Sequence, residues 1–363
     1  MKEQKKLVLY VSANGYLGGA ERVVLNLAKG HLAGSRFRPV IVFFGDGEAY
    51  QEARSLGVEC VLLNKKFRLS DPWALFVALR EFRAIIRKYN VDLIHSTMPY
   101  AHIVSSLAGL GLPVKKVWFQ HGPVGGLLDK IATLFEVDWM FFNSHYLLQK
   151  HAASFPQTKL NQGNRVIPLG IAGSTPRKIL SGRMVRFGTA GRITRGKAFQ
   201  LIIQSFEALG LPYRLTIAGA PKGPDDRLYL KELEDFVSSK NAQDRVSFLG
   251  HQEDMSSFYQ SIDVFIHASL TPEPFGLVIA EAMAHGCLVI GKAEGGARDF
   301  LLPGLTALTY ASDDELKSAI ATLIQGDAGD KGQLLAREGQ RLIQKNYSVE
   351  QMTEVVEELY LSL

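Results

Sequence analysis

At 363 residues the chain exceeds what one hydrophobic core usually supports, since single cores stop growing at about 250–300 residues, and it suits two domains. With 47% apolar and 21% charged residues it has ample core material, which excludes a disordered chain. The net charge of +5 conceals an asymmetry. Residues 1–172 hold 21 Lys/Arg against 12 Asp/Glu, a balance of +9, whereas residues 173–363 hold 20 against 24, a balance of −4. A basic N-terminal half implies an anionic partner. Because no nucleic-acid module signature accompanies it, a membrane surface is expected and a nucleic acid is not.

The only cysteines, Cys60 and Cys287, lie in separate apolar runs, so neither a disulfide framework nor a metal-ligand spacing is available and a reducing cytosol is expected. Met1 to Lys6 is charged and leads straight into Leu7 to Val11 without a cleavage site, so no signal peptide is expected. Thr97 to Val114 is the longest uncharged stretch, but His102 and several glycine, proline and polar residues keep it from reading as a spanning helix.

In chain order, Lys6–Ser12 reads as a strand, Ala20–Leu32 as a helix, Pro39–Phe44 as a strand, Trp73 to Tyr89 as a helix and Val91–Ser96 as a strand. Val117–His121, Trp139–Ser144 and Val166–Pro168 continue the series of strands. This alternation is that of a parallel α/β sheet and would complete one Rossmann-like domain. Ile167 to Met184 is weakly periodic and rich in turn formers, as a linker is. The alternation then restarts. Strands are expected at Val185–Ala190, Tyr213–Ala218, Val246–Gly250, Val264–Ala268, Leu288–Gly291 and Ala307–Thr309. Helices are expected near Phe199–Leu209, Arg227–Lys240, Met255–Gln260, Leu277–His285, Asp313–Gln325 and Gly332–Lys345. The expected fold class is thus α/β, with two doubly wound domains at 1–172 and 173–345 whose strand ends face a cleft.

Three segments are candidates for chemistry. Gly18-Gly19-Ala20-Glu21 follows the first strand and opens a helix, where a flexible backbone, free amides and the helix dipole favour an anion. Taken alone it is equally a tight turn, and the missing Gly-x-Gly-x-x-Gly pattern weighs against a dehydrogenase. Gly191-Arg192-Ile193-Thr194-Arg195-Gly196-Lys197 follows the first strand of the second domain and places two cations, Arg192 and Lys197, where they can neutralise a leaving diphosphate. The third runs from Ser269 to Gly286. Glu273 lies on its loop and Glu281 inside the apolar helix that the loop opens, and the amides of Phe275, Gly276 and Leu277 at that helix start can hold phosphate. A carboxylate such as Glu281 in an apolar helix is costly to bury without a partner.

The stretch from Gly191 to Asp299 resembles the donor-binding half of the family-4 retaining glycosyltransferases, whose hallmark is a Glu-x7-Glu motif followed by a glycine-rich turn, here Gly295-Gly296. Gly18-Gly19-Ala20-Glu21 matches the family's N-terminal loop, and the segment from Asn346-Tyr347-Ser348 is similar to its closing helix. The resemblance implies the GT-B fold, with residues 346–363, and Val349–Leu361 in particular, packing back on the N-terminal, acceptor-side domain. It implies that Glu273 contacts the donor sugar, that Glu281 accepts from the ribose hydroxyls, and that Arg192 and Lys197 hold the diphosphate. Gly19, beside Gly18, approaches the same phosphates, and His121 in Phe119-Gln120-His121-Gly122 points at the donor sugar. Ala198, Asp299 and Leu169-Gly170-Ile171-Ala172 depart from the family's common residues without removing a proposed carboxylate or cation.

The resemblance further implies a metal-independent transfer, with retained anomeric configuration, of a hexose-type sugar from a UDP- or GDP-sugar to a glycan or lipid-linked acceptor. No cofactor beyond that donor is expected, and no Asp-x-Asp signature is evident. Transition-state charge grows on the leaving phosphate, where cations and helix amides act. The expected setting is bacterial cell-envelope polysaccharide or glycolipid synthesis in the cytoplasm, with peripheral contact to the inner membrane face. Arg80, Arg83, Arg87 and Lys88, sharing a helix with Leu79, Phe82, Ile85 and Ile86, form a basic amphipathic stretch that motivates the membrane contact. The alternatives are a catalytically silent nucleotide-sugar binder that supports a partner, and a nucleotide-sugar epimerase of related fold.

Overall fold

The computed structural model describes residues 5–63, 67–172, 184–326 and 329–363. The chain divides into two compact units, one made of Met1–Gly170 with Val349–Leu363 and the other of Ile171–Ser348. Of the expected linker at 167–184, residues 173–183 lie outside the described residues.

In the first unit the chain runs β1 (Lys6–Ser12), α1 (Gly19–Leu32), β2 (Phe37–Phe43), α2 (Glu48–Ser55), β3 (Glu59–Leu62), α3 (Pro72–Lys88), β4 (Leu93–Thr97) and α4 (Met98–Ala108). It continues through β5 (Lys115–Gln120), α5 (Leu127–Ala132), β6 (Val137–Phe142), α6 (His145–Ser154) and β7 (Leu160–Val166). The sheet has the order β3-β2-β1-β4-β5-β6-β7, and every pairing in it is parallel. A strand of a parallel sheet is covered on both faces, which is why β1 is apolar from Leu7 to Val11 rather than alternating and Val8 to Val11 are fully buried.

α3 begins at an Asp71 N-cap that accepts from the Ala74 amide and has a proline in its first turn. Its Phe82, Ile85 and Ile86 are buried in the unit's core, and Arg83 donates to the carbonyls of Ala108 (2.9 Å) and Leu110 (2.7 Å). The apolar side of the basic stretch therefore covers the sheet and is not available to a membrane. Trp73, Phe76, Arg80 and Arg87 are exposed on successive turns of the same helix, with the two aromatic rings stacked at 6.1 Å. Among the described residues no helix is long and apolar enough to cross a membrane.

The last helix, α13 (Val349–Leu361), belongs to the first unit and packs on α1. Gly30 permits the approach, because a Cβ there would lie 2.4 Å from Thr353 Oγ1. Buried polar contacts hold the helix. Glu357 meets His31 Nδ1 at 2.8 Å, His31 Nε2 meets Tyr10 Oη at 2.7 Å, and Tyr360 bonds His95.

The second unit contains β8 (Arg186–Ala190), α7 (Phe199–Leu209), β9 (Arg214–Ala218), α8 (Pro224–Ser239), β10 (Val246–Gly250), α9 (Met255–Ser261) and β11 (Val264–His267). It ends with α10 (Leu277–Ala284), β12 (Leu288–Gly291), β13 (Leu308–Thr309), α11 (Asp313–Ile324) and α12 (Gly329–Asn346). Its sheet, again parallel throughout, has the order β10-β9-β8-β11-β12-β13. Each sheet reverses its strand order once, between β1 and β4 and between β8 and β11. In doubly wound sheets the crevice at such a reversal, outside the carboxyl ends of the strands, is where ligands bind.

Candidate functional site

The loops that leave β8 and β11 meet at the reversal in the second sheet. Gly191, with φ of +152°, turns the chain out of β8, and its carbonyl comes so close to Gly219 at the end of β9 that a Cβ on Gly219 would lie 1.8 Å from it. Only glycine suits position 219. A short 3₁₀ turn, Arg195–Lys197, then leads through left-handed Ala198 into α7. Lys197 faces back across the reversal and pairs with Glu273 Oε1 from the β11 loop. The Ser269 hydroxyl lies 3.0 Å from that same oxygen and 3.3 Å from the Gly196 carbonyl, and its single proton serves one of them at a time. His267 Nε2 lies 3.4 Å away, near enough for attraction but not aligned as a hydrogen bond.

Burial alone would raise the Glu273 carboxyl, but His267 and Lys197 beside it outweigh burial and hold its pKa at about 2. Glu273 is thus an anion throughout the physiological range. Because its neighbours gather on Oε1, the other oxygen is left to accept from a ligand hydroxyl. Arg192 is exposed and makes no ion pair with a described residue, whereas Arg195 is engaged by Glu232 (2.7 Å) and the Tyr229 ring (5.0 Å). Of the three cations in this loop, Arg192 is the free one and Lys197 the buttressed one.

Gly276 adopts a left-handed conformation (φ +95°) and opens α10, so the helix starts abruptly and its first amides have no carbonyl one turn back to bond. The Phe275 side chain is buried against Phe300 (5.2 Å) and Tyr347 (5.9 Å), which pins the loop and leaves Phe275, like Gly276 and Leu277, only its backbone to offer a ligand. Gly295 and Gly296 lie directly under this loop. A Cβ on Gly296 would sit 2.1 Å from the Pro274 carbonyl, and the Gly296 amide donates to the Glu273 carbonyl at 2.8 Å. The glycine-rich turn is thus the floor on which Glu273 rests. Within α10, Glu281 accepts from the Tyr259 hydroxyl at 2.8 Å, and burial followed by that carboxylate raises the tyrosine's pKa well above its ordinary value.

In the first unit Gly18 is the extended N-cap of α1 and Gly19 its first residue, and Glu21 is held by the Ser12 hydroxyl at 3.3 Å. His121 follows the last residue of β5, beside the reversal in that sheet. It is buried, its ring is tilted against that of Phe119 with centroids 4.0 Å apart, and neither ring nitrogen has a hydrogen-bond partner among the described residues. Burial lowers its pKa to about 3, so the ring is neutral. A buried imidazole without partners is costly, and His121 shares this state with His102, whose two ring nitrogens also lack a partner among the described residues. Next to it, Met98 takes a left-handed φ of +66° at the end of β4, and a backbone outlier of that kind in a non-glycine residue recurs at functional sites.

Within the second unit, then, Lys197 and Glu273 are in contact and Glu281 stands on the helix that follows, while in the first unit Gly18 and Gly19 open α1 and His121 follows the end of β5. His267 and Tyr259 escaped the sequence reading, and Ser269 entered it only as the start of the acidic segment. The signal for His267 was a polar residue closing an apolar strand just ahead of the acidic loop.

Residues 181–349 match the family described as glycosyl transferases group 1, and residues 17–171 match glycosyltransferase family 4. The chain belongs to these glycosyltransferases. A lipopolysaccharide core biosynthesis mannosyltransferase of Rhizobium meliloti is 31% identical over 48% of this chain and 51% of its own length. A lipopolysaccharide 1,2-N-acetylglucosaminetransferase of Salmonella typhimurium is 29% identical over 47% of this chain and 46% of its own. The chain therefore spans about half the length of these curated relatives. Among solved structures, a glycosyltransferase of Rickettsia africae superposes with a TM-score of 0.83 at 19% identity, covering 99% of this chain and 98% of that one. The Anabaena protein HepE in complex with UDP-glucose superposes with a TM-score of 0.81 at 21% identity, covering 98% and 100%. The fold is GT-B, with seven and six parallel strands in the two sheets.

Proposed function

We propose that the chain transfers a hexose-type sugar, with retention of configuration, from a UDP- or GDP-sugar to a glycan or lipid-linked acceptor in bacterial cell-envelope polysaccharide or glycolipid synthesis. The observation that carries this reading is the Lys197–Glu273 pair at the sheet reversal, backed by His267 and Ser269 and flanked by the open start of α10. Arg192, Lys197 and the amides of Phe275, Gly276 and Leu277 take the diphosphate, on which charge grows as the glycosidic bond breaks. The unpaired oxygen of Glu273 accepts from sugar hydroxyls, and Glu281, steadied by Tyr259, accepts from the ribose. From the N-terminal unit, Gly18 and Gly19 offer amides to phosphate, and neutral His121 offers a ring nitrogen to the sugar. Two lipopolysaccharide transferases among the relatives, and a similar structure that holds UDP-glucose, support the donor class and the setting.

Product analysis tests the assignment. With UDP- and GDP-sugars and a lipid-linked oligosaccharide extract, the expected outcome is nucleotide release and a product whose anomeric proton coupling matches that of the donor. An isomerised sugar without transfer identifies an epimerase, and donor binding without turnover identifies a silent binder.

The proposal includes peripheral contact with an anionic membrane at its cytoplasmic face, supported by the exposed Trp73, Phe76, Arg80 and Arg87 on α3 and by the basic N-terminal half. Sedimentation with phosphatidylglycerol vesicles at low salt is expected to carry the protein down, and Trp73→Ala with Arg80→Ala to leave it in the supernatant. Equal sedimentation of the two proteins would remove this surface from the account.

A further inference from the structure

The proposed reaction gives one ammonium group two anions to serve. Lys197 is in contact with Glu273 Oε1, and the transferase reading, on which this inference rests, also turns it to the donor diphosphate. A diphosphate carries more charge than a carboxylate, so an ammonium between them moves towards the phosphate and loosens its hold on Glu273. With its side chain 20% exposed, Glu273 is costly to leave ionised without a partner.

Two further donors face the same oxygen. His267 closes β11 with its side chain 8% exposed, and its Nε2 lies 3.4 Å from Oε1 with no hydrogen-bond partner among the described residues. The backbone that carries the ring is fixed, because the His267 carbonyl accepts from the Tyr310 hydroxyl at 3.1 Å and the residue is in register with Gly291 of β12. The Ser269 hydroxyl is 3.0 Å from Oε1 and divides its proton between that oxygen and the Gly196 carbonyl. Both donors sit on the strand and loop that lead to Glu273, whereas Lys197 comes from the loop after β8. They keep their place beside the carboxylate when the lysine turns away.

We propose that His267 is a positioning residue for Glu273: as a bound diphosphate draws Lys197 off, the His267 Nε2–H closes on Oε1, beside the Ser269 hydroxyl, and the carboxylate keeps its second oxygen aimed at the donor sugar. A movement of about half an ångström brings Nε2 to the distance of about 2.7–2.9 Å usual for a nitrogen donor on a carboxylate. The handover needs hydrogen on Nε2, which the facing carboxylate favours over the other tautomer. A buried ring nitrogen left unbonded in the empty site has a partner in the occupied one.

Titration calorimetry on the full chain tests the handover, with UDP and GDP compared against UDP-glucose, UDP-galactose, UDP-N-acetylglucosamine and GDP-mannose. The readout is the affinity for a sugar nucleotide relative to that for its free nucleotide, because only the sugar meets Glu273. His267→Leu is expected to leave nucleotide affinity within about twofold and to weaken the bound sugar nucleotide about tenfold, as the loss of one hydrogen bond to a charged group would. His267→Gln, whose amide can place a donor nitrogen where Nε2 stands, should recover most of that loss. In wild-type protein labelled with ¹⁵N-histidine, the Nε2 proton signal that is lost in His267→Gln should move downfield when UDP is added. Unchanged sugar-nucleotide affinity in His267→Leu, equal loss of nucleotide and sugar nucleotide, a glutamine variant no better than leucine, or an Nε2 proton that UDP leaves unmoved would overturn the proposal. Should His267→Leu fail to fold, the glutamine variant and the proton signal still decide it. A wild-type protein that binds none of the six ligands would overturn the transferase reading and this inference together, whereas wild-type binding with an indifferent His267 overturns this inference alone.

Discussion

Lys197→Ala is expected to lower kcat for sugar transfer by about 10²–10³ while leaving the fold intact, the loss seen when one preorganised stabiliser of developing negative charge is removed. The lysine has two tasks. In the proposed reaction it places a cation where the leaving phosphate would gather charge, and it helps to keep Glu273 ionised in a partly desolvated place. Without it burial still raises the Glu273 carboxyl, and of the two neighbours that counter burial only His267 remains. The carboxyl pKa should therefore rise from about 2 towards its ordinary range, and the acid limb of the kcat/KM profile should move to higher pH. Stability follows the same sign. A depressed carboxylate contributes stability that is present above its unfolded value near 4.5 and is lost as pH falls through that window towards about 2. Acid unfolding of Glu273→Gln should lack this component. A Lys197→Ala enzyme with wild-type kcat and an unmoved acid limb would contradict both tasks.

Asp263→Ala is expected to be the most damaging change to stability. Asp263, at the entrance of β11, takes two hydrogen bonds from the Arg186 guanidinium (2.9 and 2.8 Å) and one from the Arg186 amide (3.0 Å) at the start of β8, and its own amide returns one to the Arg186 carbonyl at 2.7 Å. The carboxylate side chain is 2% exposed and the guanidinium 33%. Breaking a buried pair costs about 3–5 kcal/mol because the remaining charge is left uncompensated, and Arg186's access to water places this case at the lower end. For a domain of this size about 3 kcal/mol corresponds to a midpoint lower by roughly 6–12 °C. The double change Asp263→Leu with Arg186→Met should recover only part of the loss, since the Arg186 amide would still lack its acceptor. These two strands carry the Lys197 and Glu273 loops, so the ion pair also sets the register of the site. A midpoint within about 2 °C of wild type would show that the pair is screened and dispensable.

How far the sequence revealed this architecture depended on pattern strength. β1, β12 and α7 were legible to the residue, because each is either an apolar run in a parallel sheet or a helix with a clear apolar stripe, and α13 was legible through the family resemblance. β7 was placed too late, at Val166–Pro168 instead of Leu160–Val166, because this edge strand reads Leu-Asn-Gln-Gly-Asn-Arg-Val and has no apolar run to mark it. β3 and α2 were missed because they are short, four and eight residues. α4 was missed because its residues are buried almost all round, which erases the amphipathic stripe. At the site, Glu273, Lys197 and the glycine turn stood out through motif spacing. Tyr259 did not, because it joins Glu281 through the packing of two separate helices, which no spacing within one segment encodes, and His267 was absorbed into the apolar run of β11.

Thermal unfolding of the wild-type protein, Lys197→Ala and Glu281→Ala with UDP, GDP, ADP and NAD tests the central claim most directly. A ligand at about one hundred times its dissociation constant adds roughly 2.7 kcal/mol to the folded state, enough to move the midpoint by several degrees. The account predicts that UDP or GDP raises the wild-type midpoint, that NAD does not, and that the rise shrinks in both variants. Stabilisation by NAD alone, by none of the four, or by UDP equally in all three proteins would contradict it.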